Sequence, residues 1–274
     1  MKNGGSNPPA PGNRCVEPPG GANCRPGGFV FPPPMAVILP LAAAGAAVGA
    51  WAYGTYEPNS RIFGPVVGRG RRDSRLAYLT FDDGPNPDAT DRILETLATA
   101  SVPAGFFMVG EHVRRFPDIA RRVANAGHEI GNHTLRHRKL HFQGPRRIRE
   151  ELERTHEIIG ATTGRTAKSF RAPHGYRNPF VTIAARRLGY AVFGWTFGVW
   201  DSDPGVSAED IRRRVQRKLR PGAIVLLHDG DGYDPEGDRR RTAAALPGII
   251  ADAQAAGYTF RPLAELVPFQ PRRS

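Results

Sequence analysis

Two adjacent carboxylates, Asp82 and Asp83, close an apolar run in the stretch RLAYLTFDDGPNP. Two histidines four residues apart, His133 and His137, stand in GNHTLRH. Arg171 lies in SFRAPHGY, Trp200 and Asp201 in GWTFGVWDSDP, and His228 in AIVLLHDGDG. Consecutive side chains at a strand end point in different directions, so one carboxylate can hold a metal while its neighbour stays free. Histidines four apart share a face on a helical turn. Two imidazoles and one carboxylate make a three-ligand set with an open position, the arrangement of catalytic zinc. A metal there lowers the pKa of bound water toward ~7, and a neighbouring base takes its proton. A second group must then protonate the leaving group, a role that suits histidine near neutral pH.

The elements that must position these residues follow from hydrophobic periodicity. Strand candidates are 76–81, 104–109, 128–132, 168–172, 190–196, 223–228 and 258–261. Helices with readable ends alternate with them: one capped by Thr90, one from Pro117 to Gly127, one opening at Pro145, and one from Asn178-Pro179 to Gly189. Ser207 with Asp210 resembles a capping box, and a last helix over about 240–256 contains Pro247. Strands alternating with helices imply a parallel sheet with helical covers, and seven units suggest a closed or nearly closed α/β barrel. On this reading every polar feature above sits at a strand C-terminus, the face that carries active sites in such barrels. Singly, each has a plainer reading. Asp-Asp-Gly-Pro is a common surface turn, the two histidines among Arg136, Arg138 and Lys139 fit a solvated basic helix, Arg171 fits a simple salt bridge, and His228 fits a core histidine. It is their joint occurrence at successive strand ends that favours chemistry.

The net charge of +12 over 274 residues favours anionic surroundings such as a membrane surface or an acidic polymer. The interleaved aromatic and basic pattern of single-strand binders is not visible, so no nucleic-acid partner is expected. The Gly- and Pro-rich residues 1–34 read as a disordered tail. That tail holds the two cysteines, Cys15 and Cys24, as a pair or as idle thiols according to the compartment. Residues 35–56, MAVILPLAAAGAAVGAWAYGTY, are uncharged and about long enough to span a bilayer. They read as a transmembrane or signal-anchor segment, or alternatively as a buried Ala-rich helix, and Met35 is an alternative start. A basic linker, 57–75, follows, and the main domain is expected over 76–268. The arginines after the segment, taken alone, would keep that domain cytoplasmic.

The motifs TFDDGP, HTLRH, RAPHGY, VWDSD and LLHD, in this order, resemble those of the polysaccharide deacetylases, the NodB-homology domain of carbohydrate esterase family four. The resemblance covers about residues 58–268. It implies a distorted (β/α)7-type barrel and a hydrolase that removes N-acetyl, or O-acetyl, groups from sugars of a polysaccharide such as peptidoglycan or chitin-like oligomers. It further implies Asp82 as general base, Asp83, His133 and His137 as ligands of zinc (or cobalt or nickel), and Arg171 as partner of Asp82. A backbone N–H near His174 would help hold the oxyanion, His228 would be the acid, and Asp201 rather than Asp203 would orient it. Pro173, His174, Tyr176, Trp200 and Leu226 would line the substrate pocket. Two positions depart from the family pattern: His174 stands where an aromatic Tyr is usual, and Ser202 where Trp is usual, with Trp200 preceding the Asp instead. The alternatives are a deacylase or deformylase of a lipid-linked sugar and a non-catalytic glycan-binding relative. Most members of the family lie outside the cytoplasm, so the expectation is a monomer anchored to a membrane through 35–56, with an extracytoplasmic domain acting on an N-acetylated glycan.

Overall fold

The computed structural model describes residues 34–267. The expected tail (apart from Pro34), both cysteines and the last expected domain residue lie outside these. The described residues divide into two units at Gly45–Ala46. Helix α1 (Pro34–Tyr56) contains Pro40 and has no charged residue in its first or last turn. Its stretch Ile38–Tyr56, of mean hydropathy 1.3, is long and apolar enough to cross a membrane by length and composition, and only 11% of the most apolar window is buried.

Eight parallel strands build the second unit: β1 (Leu76–Asp82), β2 (Ala104–Met108), β3 (Glu129–Asn132), β4 (Ser169–Phe170), β5 (Ala191–Val192), β6 (Phe197–Gly198), β7 (Ala223–His228) and β8 (Thr259–Phe260). The path runs β5-β4-β3-β2-β1-β7-β6, and β8 pairs with the start of β1. The barrel is therefore open between β5 and β6. The expected strand 190–196 divides there, because residues 193–196 turn away to meet an earlier segment. Val67 bridges Phe193, Gly194 N–H donates to the Val67 carbonyl at 3.0 Å, and Thr196 Oγ1 donates to the Gly68 carbonyl at 2.8 Å. The stretch 57–75, expected as a linker, thus packs into the gap, with Ser60 and Val66 buried.

Alternation along the two central strands decides which residues reach the site, since side chains two apart share a face of a strand. On β1, Ala77, Leu79 and Phe81 pack outward in the main core, while Tyr78 belongs to a second, smaller cluster with Ile224 of β7. On β7, Ala223, Val225 and Leu227 pack outward. The inner faces therefore end on Thr80 and Asp82 in one strand and on Leu226 and His228 in the other. In the parallel register Asp82 sits directly opposite His228.

Seven helices cover the outer face: α2 (Ala89–Ala100), α3 (Gly110–Arg115), α4 (Pro117–Asn125), α5 (Pro145–Thr163), α6 (Pro179–Arg187), α7 (Ala208–Lys218) and α8 (Arg240–Ala255). Helix α7 carries the expected capping box of Ser207 and Asp210. Asp88, not Thr90, precedes α2; Thr90 lies inside its first turn, and its hydroxyl donates to Asp229 Oδ2 at 2.6 Å. Asn178 caps α6 by accepting from the N–H groups of Phe180 and Val181, and its Nδ2 donates to the Gln143 carbonyl at 3.1 Å. Asn178→Ala removes both roles at once. It is expected to lower stability by about 2 kcal/mol in chemical denaturation, against about 1 for loss of an N-cap alone.

Candidate active site

The polar residues of the strand ends meet in one place. Asp82 and Asp83 leave β1, His133 and His137 follow β3, Arg171 follows β4, Asp201 follows β6 and His228 ends β7. Asp83 Oδ1 lies 3.0 Å from His137 Nε2 and 3.3 Å from His133 Nε2. The three residues are buried, and their ligand atoms lie within 4.8 Å of one another. The segment carrying the two histidines is not helical, contrary to the shared-face expectation: Thr134 and His137 have φ of 70° and 52°. An irregular loop with two left-handed residues brings the imidazoles together instead.

The hydrogen bonds of the donor set fit it to a divalent metal. His133 Nδ1 lies 2.9 Å from the Arg171 carbonyl. A carbonyl only accepts, so Nδ1 carries the proton and the Nε2 lone pair faces Asp83. Asp83 Oδ1 has no hydrogen-bond partner although it is buried. Lone pairs converging on a buried carboxylate oxygen repel one another unless a cation stands between them. His112, which the sequence pattern does not single out, supports the same loop through Nδ1, 2.8 Å from the Asp83 carbonyl.

Asp82 stands apart from this set. Its Oδ1 accepts from Arg171 Nη1 at 2.7 Å, while Oδ2 lies 3.8 Å from His133 Nε2. Arg171 is fully buried; Nη1 also reaches Thr80 Oγ1 and Nη2 the Gly194 carbonyl, each at 2.9 Å. Across the site, His228 Nδ1 lies 2.9 Å from Asp201 Oδ1, and Asp201 Oδ2 accepts from the His228 N–H at 2.8 Å and from Thr242 Oγ1 at 2.9 Å. Burial opposes the imidazolium, but the charge and hydrogen bond of Asp201, with Asp83 and Asp82, raise His228 to about 9. Asp203 is exposed. Thr242 lies on α8, and nothing in its sequence surroundings points to Asp201.

Of the expected lining residues, Leu226 lies two before His228 on the inner face of β7 and Pro173 is buried. His174 adopts φ 56°, and its ring lies 5.0 Å from that of His137. Burial, with His137 and Lys139, lowers His174 to about 4, so its imidazole is neutral at physiological pH. Tyr176 lies 5.5 Å from His174, ring to ring. Trp200 is 69% exposed at φ 55°, and among the described residues its ring meets no ring of this cluster. Asp229, adjacent to His228, is buried and raised to about 7, chiefly by that burial.

Residues 69–193 match the family model for polysaccharide deacetylases. A chitooligosaccharide deacetylase of Rhizobium leguminosarum bv. trifolii is 39% identical over 198 residues, 70% of this chain and 91% of the relative. Among solved structures, a peptidoglycan N-acetylglucosamine deacetylase in complex with 4-naphthalen-1-yl-N-oxidanyl-benzamide has a TM-score of 0.68 at 32% identity, over 73% of this chain and 91% of that one. A family 4 acetyl xylan esterase from Clostridium thermocellum in complex with a cobalt ion has a TM-score of 0.62 at 34% identity, over 70% and 89%. The chain belongs to the polysaccharide deacetylase family.

One backbone contact tests the metal-binding geometry. A Cβ at Gly232 would stand 2.2 Å from His137 Nδ1, so only glycine leaves that ring in place. Gly232→Ala is expected to weaken divalent-metal affinity about 10- to 100-fold, the usual cost of disturbing the support of a ligand. Competition of the folded variant against a chelator measures it, and unchanged affinity would count against His137 as a ligand.

Proposed function

We propose that this polysaccharide deacetylase family member removes N-acetyl groups from N-acetylglucosamine units of a glycan, chitin-like or peptidoglycan. The observation that carries the reading is the pairing across adjacent strands. An arginine-held carboxylate, Asp82, stands opposite an aspartate-held histidine, His228, beside a convergent carboxylate and two imidazoles. The names of the relatives support the substrate class. Those names include chitooligosaccharide and peptidoglycan but no lipid-linked sugar, so that alternative gains no support.

In this reading Asp83, His133 and His137 hold a divalent metal, zinc by the nitrogen-rich donor set, with cobalt or nickel able to replace it. When bound, the metal supplies Lewis acidity to the acyl carbonyl and to water. Asp82 takes the proton from the attacking water through Oδ2, the oxygen that Arg171 does not occupy. The backbone N–H near His174 helps to hold the developing oxyanion, in a loop already turned by its left-handed residue. His228, cationic at neutral pH, gives its proton to the leaving amine while Asp201 fixes the ring. Pro173, His174, Tyr176, Trp200 and Leu226 line the acetylated sugar. Helix α1 anchors the chain, with its catalytic domain on the extracytoplasmic side; the length and apolar composition of the helix ahead of Gly54 support the anchor, while Thr55 and Tyr56 pack against the domain.

Acetate release from an N-acetylglucosamine oligomer by the full chain in detergent, metal-stripped and then zinc-restored, tests the chemistry. Release is expected to require metal and to fall about 10²- to 10⁴-fold in Asp82→Asn. Release that survives metal removal or this substitution would refute the assignment. The acid has its own signature. Asp201 raises the pKa of His228, so a neutral residue there lowers it, and the acid loses its proton at lower pH. Asp201→Asn is therefore expected to move the alkaline limb of the kcat/KM profile down by about one unit or more; an unmoved limb would exclude His228 as the titrating acid.

A further inference from the structure

The rings beside the reaction centre continue outward beyond any group the reaction needs. His137 to His174 is a ring-to-ring step of 5.0 Å, His174 to Tyr176 one of 5.5 Å, and Tyr176 to Tyr56 one of 5.2 Å. His141 lies 5.0 Å from Tyr176 and 5.4 Å from Tyr56, and Phe142 lies 3.8 Å beyond it. Tyr56 and Phe142 remain 51% and 76% exposed. Beyond the buried His137, the rings form a contiguous row, half-buried at Tyr176 and His141 and exposed at Tyr56 and Phe142, and such patches mark binding sites. The ligand it fits is amphipathic: the C–H face of a pyranose covers a ring, while its hydroxyls reach the polar tips of tyrosine and histidine.

The row is held rigidly by residues that have no part in the chemistry. The Arg177 N–H donates to the Thr55 carbonyl at 3.1 Å. The Arg177 guanidinium, nearly fully buried, spreads Nη2 over the carbonyls of Glu57, Pro58 and Ser60, the last at 2.9 Å. Pro58 packs beneath the loop that carries His174 and Tyr176: at Gly175, where φ is 75°, a Cβ would stand 2.7 Å from it. Tyr56 is thus fixed against Tyr176, although it precedes the residues that match the family model, 69–193.

We infer that Tyr56, His141 and Phe142, continuing outward from Tyr176 of the inner pocket, form a subsite for a neighbouring sugar of the same glycan, so that the end of the apolar helix α1 is part of the substrate cleft. The inference rests on the N-acetylglucosamine reading for the inner sugar. It makes the protein selective for chain length: short oligomers end before the outer rings, and longer ones cover them.

The test uses binding, so that it does not depend on turnover. Full chain in detergent micelles, metal-stripped, is titrated calorimetrically with N-acetylglucosamine disaccharide and pentasaccharide. The native protein is expected to bind the pentasaccharide more tightly. Tyr56→Ala is expected to weaken pentasaccharide binding about three- to tenfold, the worth of one aromatic contact, and so to shrink its advantage over the disaccharide. Tyr56→Phe, which keeps the ring, should retain that advantage. Tyr53→Ala, one turn earlier on the same helix and outside the row, should also retain it. A native protein that does not discriminate between the two lengths, an unchanged ratio in Tyr56→Ala, or an equal loss in Tyr53→Ala would each overturn the subsite. Failure of the deacetylase reading shows separately, as no metal-dependent acetate release.

Discussion

The site is organised around one buried cation. Arg171 has no exposed surface, and burial alone would lower its pKa. A charge so placed is tolerable only when its arms find partners, since breaking a buried ion pair from one side is strongly unfavourable. Its guanidinium reaches the Asp82 carboxylate, the Thr80 hydroxyl and the Gly194 carbonyl, and lies 4.1 Å from the ring centre of Phe107. Its backbone carbonyl accepts a hydrogen bond from His133 Nδ1, and its N–H donates to the Asn132 carbonyl. One residue at the end of a two-residue strand therefore fixes the carboxylate on β1, the tautomer of an imidazole after β3, and the turn at the open edge beside β5. The inner-face parity of β1 and the splitting of the strand after Val192 are constraints that this cation shares.

Around it the chain accepts local strain. Of the six non-glycine residues with positive φ among the described residues, five are Asp83, Thr134, His137, His174 and Trp200, all on loops at the strand C-termini; the sixth, Ser101, ends a helix. Left-handed backbone is costly for residues with a Cβ, and it concentrates where geometry is fixed by function. Here it turns Asp83 away from Asp82 and swings His137 back toward His133. The convergence of Asp83, His133 and His137 is therefore a property of the loops, which the sheet below holds by hydrogen bonds such as Asp83 N–H to the Phe107 carbonyl.

Much of this was legible in the sequence because the informative residues are chemically rare in their settings. Carboxylates, histidines and an arginine at the ends of apolar runs stand out against the periodic pattern, and helix ends marked by proline, asparagine or a capping box were found close to where they occur. What escaped was long-range or irregular. The turn of His133–His137 depends on left-handed residues that carry no glycine signal. Thr242 serves the site from a helix whose periodicity explains it fully as ordinary core, and His112 from α3, where no period shows. The run YAVFGWTF reads as one strand, yet at Gly194, where a Cβ would stand 2.3 Å from Asn59 Oδ1, the chain leaves the sheet, and only the segment that arrives from residues 58–68 shows why. That segment is basic and Gly-rich, features that pattern reading takes for a linker. The six-residue α3 is too short to display a period.

The grip of Arg177 on the carbonyls of Glu57, Pro58 and Ser60 has a mechanical side. A catalytic domain tied to a bilayer by a floppy leash sweeps a hemisphere and meets whatever polymer enters it. A domain clamped where its helix ends is more like a tool on a short post. In the proposed anchored state, working height is set by the hydrogen bonds that Arg177 makes to this stretch of backbone and not by linker length. The catchment would then be a thin layer explored by lateral diffusion, so encounter would scale with the surface density of glycan chains beside the bilayer and not with their bulk concentration. Lengthening the stem would enlarge the volume swept only by dismantling the wall proposed for it.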